Sequence, residues 1–277
     1  MLDDIQIDRI IDLALDEDIQ SGDITTEAII NKSQNADAFI KAKENGVIAG
    51  LPIAEKVFRK LDPDLIWNPL VNDGDKIKSS EILVKFSGYY SALLTAERTA
   101  LNFLQRMSGI ATQTNLFVSV IKDSKTKILD TRKTIPGHRL LDKYSVKMGG
   151  GTNHRIGLYD LVMIKDNHIK VAGNITNAVE QIRRKYGNKF RVEIETTNLD
   201  EVSEALKCNA DIIMLDNMTN EAMDDAVKLI NGRAQTEASG NMTIERIKST
   251  AEIGVDFISI GMLTHSVKAL DISMYIE

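Results

Sequence analysis

The chain has 277 residues, 43% apolar and 27% charged, with a net charge of −6 and one cysteine. That is enough apolar material for one large or two smaller packed cores. The acidic balance excludes a general nucleic-acid binder, which needs a basic excess, and a lone cysteine excludes an internal disulfide and suits a reducing cytoplasm.

In "MLDDIQIDRIIDLAL", Ile7, Ile10, Ile11, Ala14 and Leu15 recur at helical spacing. The stretch is acidic and lacks the basic region and small-residue cleavage site of a secretory signal. Residues 36–50, "ADAFIKAKENGVIAG", predict a strand, a turn at Asn45-Gly46 and a second strand. "VNDGDKI" and "EILVKFSG" continue the extended style. Residues 91–107, "SALLTAERTALNFLQRM", predict a long helix with Gly109 as its stop. No apolar run reaches the roughly 18 residues of a membrane span. The first hundred or so residues read as a small mixed α+β domain.

From about residue 126 the pattern alternates strand and helix. The predicted strands are "KILD" (127–130), "LVMI" (161–164), "FRVEIE" (190–195), "DIIML" (211–215), "AQTEAS" (234–239) and "DFISIG" (256–261). Predicted helices cover 176–186, 198–207, 219–230 and 243–253. About six βα units suit an open or incomplete α/β barrel, two units short of a full TIM barrel.

Polar residues follow each strand. The first runs into Thr131, Arg132 and Lys133, and the second into Lys165 and Asp166. The third ends at Glu195 and the fourth at Asp216. The fifth ends at Ser239-Gly240-Asn241 and the sixth at Gly261, ahead of a terminal helical segment. In parallel α/β barrels these ends converge on the active site. Small residues before a helix let phosphate reach backbone N–H groups and the positive helix end.

Glu195 and Asp216 on neighbouring strand ends can bind Mg²⁺ on a polyphosphate, hold ribose hydroxyls or stabilise a developing cation. One charge pair at about 4 Å and an effective dielectric near ~20 is worth on the order of 4 kcal/mol. Arg132, Lys133, Arg155 and Lys165, with His154 among them, gather positive charge suited to a substrate with several anionic groups. Arg98 borders an apolar helical stripe between Leu94 and Leu101, either snorkelling or reaching another subunit. The run "KMGGGTNHRIG" lacks the Lys-Ser/Thr that ends a P-loop. Its glycines read as backbone passing close to substrate or a neighbouring strand, delivering His154 and Arg155 to the rim. The four histidines lack HxH or HxxxH spacing, so no zinc site is expected, and Cys208 reads as a buried small residue.

Six motifs then occur in order: "TAERTALNFLQRMSGIAT", "DTRKTIPGHRLLDKYSVKMGGGTNHRIGLYDLVMIKDNHI", "VEIETTNLDE", "IIMLDNM", "EASGNMT" and "DFISIGMLTHS". Together the chain resembles the quinolinate phosphoribosyltransferase family, from about residue 20 to the C-terminus. The resemblance implies transfer of phosphoribose from phosphoribosyl pyrophosphate to quinolinate with loss of CO₂, giving nicotinate mononucleotide with Mg²⁺, in the cytoplasm. It implies an N-terminal α/β-sandwich domain over 1–110, with the tail 266–277 packing on it, and a barrel over 111–265. It also implies a homodimer or higher assembly whose partner contributes Arg98. The family's substrate-binding residues match Thr131, Arg132, Lys133, His154, Arg155 and Lys165, its acidic pair Glu195 and Asp216. Its phosphate loops match Ser239, Gly240 and Asn241, and Gly261 with Met262. Glu195, Asp216, Lys133 and Lys165 are the implied catalytic set. Ile135, His138 and Thr152 depart from the family's usual residues without removing a charge. Two other readings are a Schiff-base aldolase using Lys165 and a non-catalytic relative that binds a phosphorylated ligand.

Overall fold

The computed structural model describes residues 4–31 and 33–277. Its first elements are α1 (Asp4–Ile19), α2 (Ile24–Ile29), β1 (Asn35–Ala42), β2 (Gly46–Val47), α3 (Leu51–Leu61), β3 (Ile66–Pro69), β4 (Lys76–Ile77), β5 (Ile82–Tyr89) and α4 (Tyr90–Val120). Next come β6 (Lys127–Leu129), α5 (Arg139–Met148), β7 (Val162–Ile164), α6 (Asp166–Ala172), α7 (Ile175–Tyr186), β8 (Val192–Thr196) and α8 (Leu199–Lys207). The chain ends with β9 (Ile212–Asp216), α9 (Asn220–Ile230), β10 (Gln235–Ser239), α10 (Ile244–Ile253), β11 (Phe257–Ser259), α11 (Met262–His265) and β12 (Ile272–Ile276).

Two compact units result. One holds the chain to Asn115 with Thr134–Gly150 and Leu263–Glu277; the other holds Leu116–Lys133 and Gly151–Met262. The division falls inside α4, and residues 134–150 belong with the first unit.

In the first unit a four-stranded antiparallel sheet has the order β12-β1-β5-β3. Alternation along β1 buries Ala38, Ile40 and Ala42. They share one core with Ile7 and Ile11 of α1, Val57 and Phe58 of α3, and Leu93, Leu101 and Leu104 of α4. Each such large side chain contributes about 1.5–3 kcal/mol through burial. The C-terminal strand completes the sheet, pairing from Ala38↔Ile276 to Ala42↔Ile272.

The strand, turn and second strand expected around Asn45-Gly46 are present as β1 and β2, and β2 pairs with β4. Gly109 does not end the long helix, which continues to Val120. A Cβ at Gly109 would lie 2.3 Å from the Lys268 carbonyl oxygen, so the glycine lets another backbone pass against the helix. That close packing outweighs a helix penalty of about 1 kcal/mol.

The second unit carries six parallel strands in the order β6-β11-β10-β9-β8-β7. The sheet is open, with β6 and β7 last in order and a single bridge, Leu129↔Thr152, beside β6. Four of its helices begin at side-chain caps. Asn174, Asn198, Thr219 and Thr243 accept the N–H groups of Asn177, Glu201, Ala222 and Arg246. Each such cap is worth about 1 kcal/mol and fixes where a rim loop ends and its helix starts. Among the described residues no helix is long and apolar enough to cross a membrane.

Candidate active site

The strand ends of the second unit carry the site. Asp130, just past β6, is fully buried. It accepts the Asn153 side-chain amide at 2.6 Å and the His154 backbone N–H at 2.9 Å. This ties the segment leading to Arg155 onto the end of β6. Thr131 accepts the Lys133 backbone N–H at 3.0 Å, turning that loop.

Arg155 is half-buried, and its guanidinium donates to the Leu161 carbonyl at 3.2 Å. Beyond it, Asp160 accepts the N–H groups of Ile156 and Gly157 at 2.7 and 3.0 Å. Burial first, and then the nearby Arg132 charge, lower the Arg155 pKa; Glu193 and Asp160 offset part of this. An anion bound where the Arg132 charge is felt at Arg155 would relieve that repulsion.

Lys165 caps α6, its backbone N–H donating to His168 Nδ1 at 3.0 Å. Its ammonium forms an ion pair with Glu195 of β8. Asp216 ends β9 opposite Ser239 of β10 in the parallel register. Asn217 donates its amide to the Asp216 carboxylate at 2.7 Å and its backbone N–H to the Ser239 carbonyl at 3.0 Å. Gly240 has φ +93°, and a Cβ there would meet Asn217 Oδ1 at 2.1 Å. Only glycine fits between these two loops. Arg246 of α10 then bridges them, donating to the Gly240 carbonyl at 3.0 Å and the Met218 carbonyl at 2.6 Å. Gly261 and Met262 lie where β11 gives way to α11.

Thus Thr131, Arg132, Lys133, Lys165, Glu195, Asp216, Ser239, Gly240, Asn241, Gly261 and Met262 all lie at or just past strand ends of one unit. Arg98 is exposed on α4 in the first unit. The glycine run is corrected in part. Gly149 packs on α4 rather than on a strand, and a Cβ there would sit 2.4 Å from the Ala111 carbonyl oxygen.

Sequence reasoning missed the interior acids. Glu193 of β8 and Glu237 of β10 are fully buried. His154 Nε2 lies 3.0 Å from Glu193 Oε2 and 3.4 Å from Glu237 Oε2. Burial opposes a charge on this imidazole, but the two carboxylates outweigh it and push its pKa up to about 10. The Arg155 backbone N–H lies 2.7 Å from Nδ1 and can donate only while that nitrogen has no proton, which limits the rise. The two effects oppose one another: the carboxylates favour a ring protonated on both nitrogens, while the Arg155 N–H favours a neutral ring with its proton on Nε2. Burial raises the Glu193 pKa, and repulsion from Glu237 adds to it against the hydrogen bond with His154. The signal was present in period-two alternation. "VEIET" puts Glu193 on the same face as Glu195, and "QTEAS" puts Glu237 on the same face as Ser239.

The profile described as quinolinate phosphoribosyl transferase, N-terminal domain, matches residues 23–108, and its C-terminal-domain counterpart matches residues 110–275. The chain belongs to the quinolinate phosphoribosyltransferase family. A probable nicotinate-nucleotide pyrophosphorylase [carboxylating] of Synechocystis sp. is 45% identical, covering 95% of this chain and 90% of the relative. The chloroplastic nicotinate-nucleotide pyrophosphorylase [carboxylating] of Arabidopsis thaliana is 47% identical over 97% of this chain and 82% of its own. The crystal structure of NadC from Streptococcus pyogenes superposes with a TM-score of 0.97 at 41% identity, covering 100% of this chain and 98% of that one. The α/β fold expected from the sequence is the fold observed.

Proposed function

We propose that this chain transfers the phosphoribosyl group of phosphoribosyl pyrophosphate to quinolinate and releases pyrophosphate and CO₂, leaving nicotinate mononucleotide. The observation that supports this reading is that Arg132, Lys133, Lys165, Glu195 and Asp216 all stand at or just past strand ends of one unit, with the Arg132 charge felt at Arg155. Quinolinate is a dianion, and adjacent guanidiniums suit its two neighbouring carboxylates.

Arg132, Arg155 and Lys165 hold these carboxylates, with Arg98 supplied by a partner subunit in a homodimer. His154 stands behind Arg155. Thr131 and Lys133 border the pyrophosphate. The 5-phosphate lies on Ser239-Gly240-Asn241 and on Gly261-Met262, where N–H groups near helix starts favour an anion. As the bond from ribose C1 to pyrophosphate breaks, C1 becomes cationic, and Glu195 with Asp216 stabilises it. The pyridine nitrogen then forms the new bond to C1. The ring nitrogen, now quaternary, stabilises the electron pair left on the adjacent ring carbon as its carboxylate departs as CO₂, and that carbon then takes up a proton from solvent. No further base is required.

Mg²⁺ is the implied cofactor. Half-buried carboxylates on adjacent strands, Glu195 and Asp216, fit a hard cation shared with phosphate oxygens. When bound with the pyrophosphate, it supplies neutralisation of the leaving group. A reducing compartment such as the cytoplasm suits the single cysteine.

Substitution tests the assignment. Arg98→Ala and Arg132→Ala each remove a charged hydrogen-bond partner, so each should lower kcat/KM for quinolinate by about 10- to 100-fold. Steady-state kinetics unchanged in both variants would contradict the reading.

A further inference from the structure

The loops after β9 and β10 are held in conformations that a free chain seldom adopts. Asn217 has φ +54°, Gly240 φ +93° and Asn241 φ +48°. Left-handed backbone is unfavourable for residues other than glycine, with asparagine the most tolerant of them. Three such residues in two adjoining loops persist only where the surroundings hold them. One restraint is the Asn217 N–H, which donates to the Ser239 carbonyl at 3.0 Å. The other is Arg246.

Arg246 stands in the first turn of α10, where its own N–H donates to the Thr243 cap. Its guanidinium reaches back over that turn. Nη1 donates to the Gly240 carbonyl at 3.0 Å and Nη2 to the Met218 carbonyl at 2.6 Å. The rigid planar fork of arginine suits two acceptors at once, whereas a lysine ammonium is a single point on a flexible stem. The consequence lies on the other side of the peptide. In a trans peptide the carbonyl and the following N–H point in opposite directions. With the Gly240 carbonyl turned to Arg246, the Asn241 N–H is turned away from it. Asn241 is exposed, and among the described residues no backbone carbonyl accepts its N–H. That donor is therefore held in a fixed direction and left open to an anion.

We infer that Arg246 is a positioning residue for the 5-phosphate, which touches no substrate and acts by fixing the peptide between Gly240 and Asn241 with its N–H toward the phosphate oxygens. The inference rests on the placement of the 5-phosphate given under Proposed function. It gives a side chain of a helix, outside the strand-end set, a share in phosphoribosyl pyrophosphate affinity.

Calorimetry on the full-length protein with ribose 5-phosphate, with pyrophosphate and Mg²⁺, and with quinolinate tests this beside steady-state kinetics. Arg246→Ala should weaken ribose 5-phosphate binding by about tenfold, the scale for losing hydrogen bonds from a charged donor. KM for phosphoribosyl pyrophosphate should rise to a similar degree. The kcat at saturation and the binding of pyrophosphate and quinolinate should stay within about twofold. A merely structural role would instead lower the active fraction, and with it kcat, at unchanged KM. Arg246→Lys should recover part of the loss through one carbonyl. If Arg246→Ala does not fold, Arg246→Met keeps the packing of the stem and should show the same split. Unchanged ribose 5-phosphate binding in a folded variant, or equal weakening of all three ligands, would overturn the inference. So would full recovery by lysine, which would put the charge itself on the phosphate. Wild-type protein that binds pyrophosphate but not ribose 5-phosphate would instead overturn the placement of the 5-phosphate.

Discussion

Lys165 and Glu195 are each assigned a task toward substrate, yet they form an ion pair with one another. A Schiff-base lysine needs a desolvated or cationic setting that frees its lone pair, and a carboxylate partner works against this. The pair therefore favours phosphoribosyl transfer over aldol chemistry, and borohydride with a carbonyl substrate should leave no adduct on Lys165. In the proposed mechanism Glu195 also faces the developing charge at C1, which exists only in the transition state. Glu195→Gln should then lower kcat by about 100-fold while quinolinate KM changes little. A variant that raised KM and kept kcat would move Glu195 into ground-state binding. At this scale the sequence was informative wherever a charge followed a strand. It was silent on Glu193 and Glu237, because a strand-end rule passes over residues inside the strand.

At the scale of elements, helix caps give a pH-dependent handle. Asp23 caps α2 and accepts the Thr26 side-chain hydroxyl at 2.6 Å and its backbone N–H at 3.0 Å. The Thr26 hydroxyl first, and then its N–H, hold the Asp23 pKa below its ordinary value of 3.8. A lowered carboxylate pKa stabilises the fold above that ordinary value, and the gain is lost as pH falls through the lower folded value. Asp23→Ala should therefore reduce stability at neutral pH by about 0.5–1 kcal/mol, the low end for a solvent-accessible cap. Denaturant titrations should show the difference shrinking as pH falls below 3.8 and vanishing below the lower folded value. A constant difference across pH would assign the effect to packing. The parallel strands and the helices between them were legible because period and cap residues agree. The run of α4 past Gly109 was not, because the reason for that glycine is the backbone at Lys268, far away in sequence. The pairing of β2 with β4 was hidden for the same reason, since a local turn signal does not report which strand lies alongside.

At the scale of the whole molecule, the two units divide the proposed site residues: Arg98 lies in one and the others in the second. A partner-supplied Arg98 predicts complementation. Impaired Arg98→Ala mixed with impaired Glu195→Ala should recover activity above either alone through hybrid dimers, up to about a quarter of wild type if exchange is random and each intact site acts alone. No recovery, with subunit exchange confirmed, would place Arg98 in its own subunit's site.

The central claim is that the clustered guanidiniums and paired carboxylates perform a quinolinate-dependent transfer, rather than hold a phosphorylated ligand. Pyrophosphate released from phosphoribosyl pyrophosphate, measured with and without quinolinate in the presence of Mg²⁺, tests it most directly. The account predicts release only when quinolinate is present, matched mole for mole by CO₂ and nicotinate mononucleotide. Binding of phosphoribosyl pyrophosphate without quinolinate-dependent release would contradict it.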